Sequence, residues 1–296
     1  MPVKSFSVNV LCKINNFDKT IKVDSDKSIS IRSFLIGSIS HNISKVKNVL
    51  ESEDVFAAIK CLKKLGVKIK KIKSQQYEIY GKGLGSLYCK KGTILDFQNS
   101  GTLCRLLTGI LATTPNIDVN LTGDSSLKKR NMSKLINLMS EFGAEFFPKN
   151  KFFLPLRMVS SEIPIGIKYK AGVSAQLKSA VALAATNSFG VTNIIEEKMS
   201  RDHTENMLLN STNIIKIKKG KKKLIKIYGK RYLNFLNIKV SCDPSAAAFY
   251  VALTLLKDNS FLRIKNVGLN KTRIGFYELL KKHGAKINFR NVRLIN

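Results

Sequence analysis

Four polar turns, each opening an apolar helix, recur along this 296-residue chain at a nearly constant step. Ser28, Ser100, Ser174 and Ser245 are separated by 72, 74 and 71 residues. A second marker keeps the same step: Gly66, Gly143, Asn213 and Gly284 follow amphipathic stretches and are 77, 70 and 71 apart. Each fits the left-handed position that ends a helix, where Gly is favoured and Asn accepted. Strands are expected next, over 67–72, 144–147, 214–217 and 285–289. The chain therefore reads as a fourfold repeat of turn, helix, strand, helix and strand. A unit of that size cannot bury both its faces alone. Several must pack helices inward under an outer shell of sheet.

The turns share one chemistry. In the second, Asn99, Ser100 and Thr102 are capping residues, and Gly101 lets backbone approach a ligand closely. Leu103, Leu106, Leu107, Ile110 and Leu111 then mark one helical face, with Arg105 off it. The first turn, from Asp26 to Arg32, precedes a face of Ile31, Phe34, Leu35 and Ile39, again with the arginine off it. The third, 172–179, leads into Leu177, Ala180, Val181 and Ala184. The fourth has Asp243 as N-cap and Pro244 as first helical residue, ahead of Phe249, Leu253 and Leu256. Helix N-termini carry free N–H groups and a positive dipole end, so converging ends would make an anion pocket.

A formal net charge of +31 also points to anionic partners. The lysines are spread along the chain among Ile, Asn and Ser, as drift in an AT-rich coding sequence would also leave them. Nucleic-acid binding would call for aromatic residues among the basic ones, and the run 218–223 has none. It reads instead as the solvated tip of a hairpin, with Ile215 and Ile217 before it and Ile225 and Ile227 after it. The segment 81–85 is glycine-rich but lacks the dinucleotide spacing, and reads as a loop. Residues 6–14 and 19–23 alternate as strands around an Asn15–Asn16 turn.

The five cysteines show no metal or disulfide spacing and suggest free thiols in a reducing cytoplasm. No signal-type segment stands at the N-terminus, and the most apolar helix, 245–256, is too short to span a bilayer. No metal, cofactor, membrane or nucleic acid is expected.

Five motifs then stand in order: Lys27-Ser28-x-Ser30-x-Arg32, Asn99-Ser100-Gly101-Thr102-x-x-Arg105, Gly123-Asp124-x-Ser126-Leu127-x-x-Arg130-x-Met132, Gly172-Val173-Ser174-Ala175-Gln176, and Ser200-Arg201-Asp202-His203-Thr204-Glu205. In order and spacing, over essentially the whole chain, they resemble the 3-phosphoshikimate 1-carboxyvinyltransferase (EPSP synthase) family. The resemblance implies the α/β enolpyruvyl-transferase fold, an inside-out α/β barrel of six βαβαββ units in two domains joined by two crossovers. Four of the six units are counted here. On that pattern residues 25–240 form the second domain, of three units, and 1–24 with 241–296 form an incomplete first domain. The face of Phe249, Leu253 and Leu256 would then stand open.

The implied reaction moves the enolpyruvyl group of phosphoenolpyruvate to the 5-hydroxyl of shikimate 3-phosphate. It passes through a tetrahedral intermediate and releases phosphate, in a protein expected to be a cytoplasmic monomer when complete. Carried over by motif, Lys27 contacts both substrates as the catalytic cation, and Ser28 and Arg32 bind shikimate 3-phosphate. The backbone at Gly101, with Arg130, holds the phosphoenolpyruvate phosphate, and Asn99 is a further substrate-binding residue. Ser174, Ala175 and Ser200 meet the shikimate phosphate, and Gln176 lies between the substrates. Arg105 reads either as a substrate contact or as half of an ion pair buttressing the turn. His203 could face the sugar-like ring, but it sits in an Asp202–Glu205 capping-box pattern and reads rather as structural, while His41 and His283 read as surface residues.

The sequence departs from the family pattern at Asp24 and Ser25, where Pro-Gly is common, at Gln98 for Gly and at Asn131 for Pro. The family's acid/base carboxylates are expected beyond Asn296, which implies a chain inactive alone. The alternatives are an inactive remnant of the enzyme or a basic nucleic-acid-binding protein.

Overall fold

The computed structural model describes residues 9, 11, 14–211 and 213–293. The expected strand over 6–14 lies mostly outside them, as does Cys12. The second expected strand is present as β1 (Asp18–Ile21).

Three successive segments repeat one arrangement. The first contains α1 (Lys27–Ile39), β2 (Ile43–Lys47), α2 (Glu53–Lys64), β3 (Lys68–Lys73) and β4 (Gln76–Tyr80). The second runs β5 (Thr93–Asp96), α3 (Gly101–Ala112), β6 (Asp118–Thr122), α4 (Ser125–Lys128), α5 (Ser133–Glu141), β7 (Glu145–Phe147) and β8 (Leu156–Val159). The third runs β9 (Lys168–Ala171), α6 (Ala175–Thr186), β10 (Val191–Glu196), α7 (His203–Leu208), β11 (Ile215–Lys218) and β12 (Lys223–Tyr228). Each builds a four-stranded sheet with the same connectivity. The first two strands are parallel, and the closing hairpin lies antiparallel to the second: β5-β6-β8-β7 and β9-β10-β12-β11. The first sheet takes its parallel edge strand from far along the chain, in the order β13-β2-β4-β3, where β13 is Asn237–Lys239. The chain is an α/β protein of βαβαββ units.

A fourth segment follows with α8 (Pro244–Leu255), β14 (Phe261–Ile264) and α9 (Gly275–Lys282). Its parallel edge strand is β1, which pairs with β14 in a two-stranded sheet. The expected strand over 285–289 is absent from the ladders. In the other units the strand at that place pairs only with the one after it. Among the described residues no such strand stands beside 285–289.

Helices α1, α3 and α6 pack at the centre of one hydrophobic cluster made of residues between 31 and 240. A second, smaller cluster gathers Val23, Cys242, Ala247, Ile274 and Tyr277. A Cβ on Gly109 of α3 would lie 2.5 Å from the Ala180 carbonyl of α6, so only glycine lets these backbones meet so closely. Thr113 Oγ1 seals the same contact by donating to the Ala184 carbonyl at 3.0 Å.

Helix α1 is buried all round from Ser30 to Ile39, not on one face as its apolar stripe suggests. Its serines make this tolerable: Ser30, Ser33 and Ser38 donate to carbonyls of Asp26, Ser30 and Leu35 within their own helix. On α8 the apolar face is open, with Phe249 79 % and Leu256 86 % exposed.

The helix-ending glycines are where the repeat puts them. Gly66, Gly143 and Gly284 have φ of +80°, +94° and +93°. The amides of Val67, Ala144 and Ala285 reach back to Leu62, Met139 and Leu280, completing the same end motif three times. The third marker is displaced. Helix α7 ends at Leu208 with Leu209 as its cap, well before Asn213. Asn210 and Ser211 are there bonded to Asn234 and Phe235 instead.

The hairpin β11–β12 pairs Ile215 with Ile227 and Ile217 with Ile225. Its tip is exposed, but its foot is not solvated: Lys223 turns inward to Glu196 at 3.4 Å. No helix among the described residues is long and apolar enough to cross a membrane.

Candidate active site

All four helix N-termini are capped as their sequences require. Asp26, Ser100, Ser174 and Asp243 accept from the backbone N–H groups of Ile29, Leu103, Leu177 and Ser245. The first turns of α1, α3 and α6 are neighbours. Gln176 at the start of α6 donates from Nε2 to Thr102 Oγ1 at 2.9 Å and accepts from Arg105 Nη1 at 3.0 Å. Arg32 of α1 donates to Ser179 of α6 at 3.0 Å. The fourth N-terminus is tied to the first. Arg273 donates to Asp26 at 3.0 Å, to Asp243 at 2.7 Å and to Ser245 at 2.8 Å.

At α3 two guanidinium groups converge on one glycine. A Cβ on Gly101 would stand 2.7 Å from Arg130 Nη1 and 2.8 Å from Arg105 Nη1. Arg130 Nη2 donates to Asn99 Oδ1 at 2.9 Å, and Arg105 Nη1 to the Gly101 carbonyl at 3.0 Å. Burial pulls the Arg105 guanidinium below its usual range, and the neighbouring Arg130 adds to that. Among the described residues neither arginine forms an ion pair, so Arg105 buttresses the turn through neutral oxygens and not through a carboxylate. Two cations brought to one point at a helix N-terminus make a place suited to an anion. The backbone before them turns at Gln98, whose φ of +50° explains why glycine suits that place. Asn131 replaces proline without loss, since its Oδ1 accepts from the Ser133 amide at 2.7 Å.

Lys27 is the first residue of α1. Its side chain is half exposed, and its Nζ lies 3.5 Å from Asp54. Ser28, next to it, accepts from Arg32 through its carbonyl. Arg32 is buried, and burial lowers its pKa to about 10. It spends three N–H groups on Thr204 Oγ1, Ser28 O and Ser179 Oγ, leaving one N–H on each terminal nitrogen. At α6, Ser174 and Ala175 present the first turn half exposed.

Ser200 differs from expectation. Both its N–H and its hydroxyl donate to Glu196 Oε1, at 2.9 and 2.7 Å, so the hydroxyl proton is already committed. Beside it Arg201 is exposed, and its charge depresses the Arg32 guanidinium. The capping box is also absent. Asp202 instead accepts from Asn270 and Thr272, and Glu205 pairs with Lys178 at 2.7 Å. His203 is buried, with Nε2 3.2 Å from Arg273, and burial pushes its imidazole down to about 4. His41 is not free on the surface but stacks on Tyr232 at 4.2 Å; His283 is exposed.

Sequence reasoning missed Arg201, Lys178 and Arg273. Arg201 was within reach, since it stands inside the fifth motif. Lys178 is a lysine in the first turns of an otherwise apolar helix. Nothing local marks Arg273, whose partners are 247 and 30 residues away.

A family model described as EPSP synthase (3-phosphoshikimate 1-carboxyvinyltransferase) matches residues 11–295. The 3-phosphoshikimate 1-carboxyvinyltransferase of Paramagnetospirillum magneticum is 38 % identical over 274 residues, covering 92 % of this chain and 61 % of its own length. The enzyme of that name from Ruthia magnifica is 39 % identical over 282 residues, covering 95 % and 63 %. An EPSP synthase structure from Acinetobacter baumannii superposes with a TM-score of 0.86 at 33 % identity, over 96 % of this chain and 63 % of that one. The chain thus spans about three-fifths of the length of the relatives it matches. With a family model matched almost end to end, over residues 11–295, this chain belongs to the EPSP synthase family.

Proposed function

We propose that the chain serves the transfer of the enolpyruvyl group from phosphoenolpyruvate to the 5-hydroxyl of shikimate 3-phosphate. The observation that carries this reading is the pair of guanidinium groups, Arg105 and Arg130, closing on Gly101 without a carboxylate partner. Fixed cations and backbone donors suit a phosphorylated carboxylate, and they need no reorganisation as charge develops on the oxygens. Asn99 holds Arg130 in place, and the α3 N-terminus faces the same phosphate. Gln176, bonded to both Thr102 and Arg105, sits where the two substrates meet. Ser28, Ser174, Ala175 and the free N–H groups of Arg32 serve the shikimate phosphate, with Lys27 reaching both substrates. Arg201 takes the contact that Ser200 cannot donate.

In the reaction O5 gives up its proton and adds to C2 of the enolpyruvyl group while C3 gains a proton. Loss of a C3 proton then expels phosphate and restores the double bond. Both steps need carboxylates free to move protons. Five of those near the helix N-termini are engaged: Asp26 with Arg273, Asp54 with Lys27, Asp202 with Asn270, and Glu196 and Glu205 with Lys178. On this reading the proton-transfer carboxylates belong to the part of the relatives' length that this chain does not span. Residues 25–240 act as one domain of three units, and 1–24 with 241–296 as part of a second. The working protein is a cytoplasmic monomer.

The test assays phosphate release from both substrates by residues 1–296, beside the same chain extended by the C-terminal portion of a relative. Turnover by the extended chain, lost on Arg130→Ala, is expected. Turnover by the short chain alone would show a catalytic carboxylate within it. An extended chain that folds yet binds neither substrate would refute the reading.

A further inference from the structure

A buried charge cluster lies behind the α6 N-terminus and is used by none of the roles above. Lys178 Nζ is 2.6 Å from Glu196 Oε1 and 2.7 Å from Glu205 Oε1, and all three side chains are at most 1 % exposed. Lys223 enters from the foot of the β11–β12 hairpin, 3.4 Å from Glu196 and 3.7 Å from Glu205. Two cations thus balance two carboxylates drawn from α6, β10, α7 and β12. Among the described residues, Glu196 Oε2 and both carboxylate oxygens of Glu205 have no hydrogen-bond partner, although Glu205 Oε1 is close to Lys178 as an ion pair. The cluster is therefore held by charge more than by a saturated hydrogen-bond network, which makes it sensitive to loss of either sign.

Its neighbours give the cluster a direction. Lys178 grips Glu205, and the adjacent residue on each helix repeats the grip: Thr204 Oγ1 donates to Ser179 Oγ at 2.8 Å. Thr204 Oγ1 also accepts from Arg32 Nε at 2.8 Å. Glu196, held by Lys178, in turn holds Ser200 by two hydrogen bonds. Lys178 therefore fixes both ends of the 196–205 segment, which carries Arg201 and orients Arg32.

We infer that Lys178 is a positioning residue. Through Glu196 and Glu205 it sets the placement of Arg201 and Arg32 for the phosphate of shikimate 3-phosphate, without touching the ligand. The inference rests on the proposed substrate, so its test carries one readout that needs no substrate.

Lys178→Met removes the central cation and leaves two carboxylates facing Lys223, with Arg32 and Arg201 as the next charges. Shikimate 3-phosphate affinity, measured by calorimetry between pH 6 and 8.5, should fall ten- to a hundredfold at pH 8. The ratio of variant to wild type should recover as pH falls and one carboxyl takes up a proton; that ratio cancels titration of the ligand itself. Lys178→Met/Glu205→Gln should bind weakly with a ratio flat in pH, and Lys178→Arg should restore much of the affinity. By hydrogen exchange, amides 199–205 should open at least tenfold faster in Lys178→Met, while those of α3 stay unchanged.

Wild-type affinity in Lys178→Met would overturn the positioning role. So would faster exchange spread equally over α3, or loss of the fold in both Met variants. If wild type itself failed to bind shikimate 3-phosphate, the substrate reading would fall, and the exchange pattern would still decide whether Lys178 positions the segment.

Discussion

The guanidinium of Arg273 stands 3.0 Å from the carboxylate of Asp26, and the two side chains are 5 % and 1 % exposed. One belongs to the fourth unit and the other caps the helix that opens the first. Removing the cation would leave a buried carboxylate alone beside the α1 N-terminus. Arg273→Met should therefore cost about 3 kcal/mol, read from urea denaturation. Asp26→Asn keeps a side-chain acceptor for the Ile29 amide and should cost less. Equal losses would show that the stranded carboxylate adds nothing to the loss of the ion pair itself.

On the proposed substrates, Gly101→Ala should leave the fold intact and weaken phosphoenolpyruvate binding. Alanine is well suited to a helix, and the atoms its Cβ would meet are the ends of two flexible arginines. Those arginines must move, and with them the anion site. A loss of about tenfold in affinity, with an unchanged thermal midpoint, is the expected result by titration. Unchanged affinity would argue that the two guanidinium groups do not bind the phosphate.

In a chain extended to full activity, Arg130→Ala should lower kcat/KM by about a hundredfold or more. A charge-assisted contact to phosphate is worth roughly 3 kcal/mol, and tenfold in rate takes about 1.4. Lys226→Ala on the outer hairpin should change kcat/KM little. Equal effects at the two positions would remove the phosphate role from Arg130.

His203 gives stability a pH dependence of known sign. Burial holds its folded pKa at about 4, against about 6.5 in an unfolded chain. Asp26 opposes that shift, and Arg32 and Arg273 reinforce it. The unfolded state takes up the proton first, so stability is full above about pH 6.5 and declines as pH falls toward 4. The slope is about 1.4 kcal/mol per pH unit. Unfolding free energies of wild type and His203→Gln across that window should diverge by this slope, and parallel curves would contradict it.

The open side of α8 should bind hydrophobic dyes. Phe249→Glu with Leu256→Lys should reduce anilinonaphthalene fluorescence and raise solubility, with no loss in thermal midpoint, because both side chains are exposed. A fall in midpoint would show that the face is covered in solution.

Local chemistry is what the sequence makes readable. The four caps and the three glycine ends depend on a few adjacent residues, and they stand where the spacing puts them. The Asp202–Glu205 pattern has the same local form but fails, because Lys178 and Asn270 outcompete the backbone for those carboxylates. The burial of Arg32 could not be read either. It lies off its helix's apolar stripe, and only helices distant in sequence close over it. Glu196 claims the Ser200 hydroxyl for the same reason: two strands and two helices must assemble before that carboxylate has a place.

The parallel edge of the first sheet is filled by β13, about 190 residues after β2. On a ribosome adding about 5–20 residues per second, that edge of β2 waits on the order of 10 s for its neighbour. During this interval the nascent chain carries an unpaired strand edge, a template for wrong pairing between chains. Slow translation between residues 80 and 239 should therefore lower the yield of folded protein. A holdase present in that interval should restore it, although every contact of the finished molecule is the same.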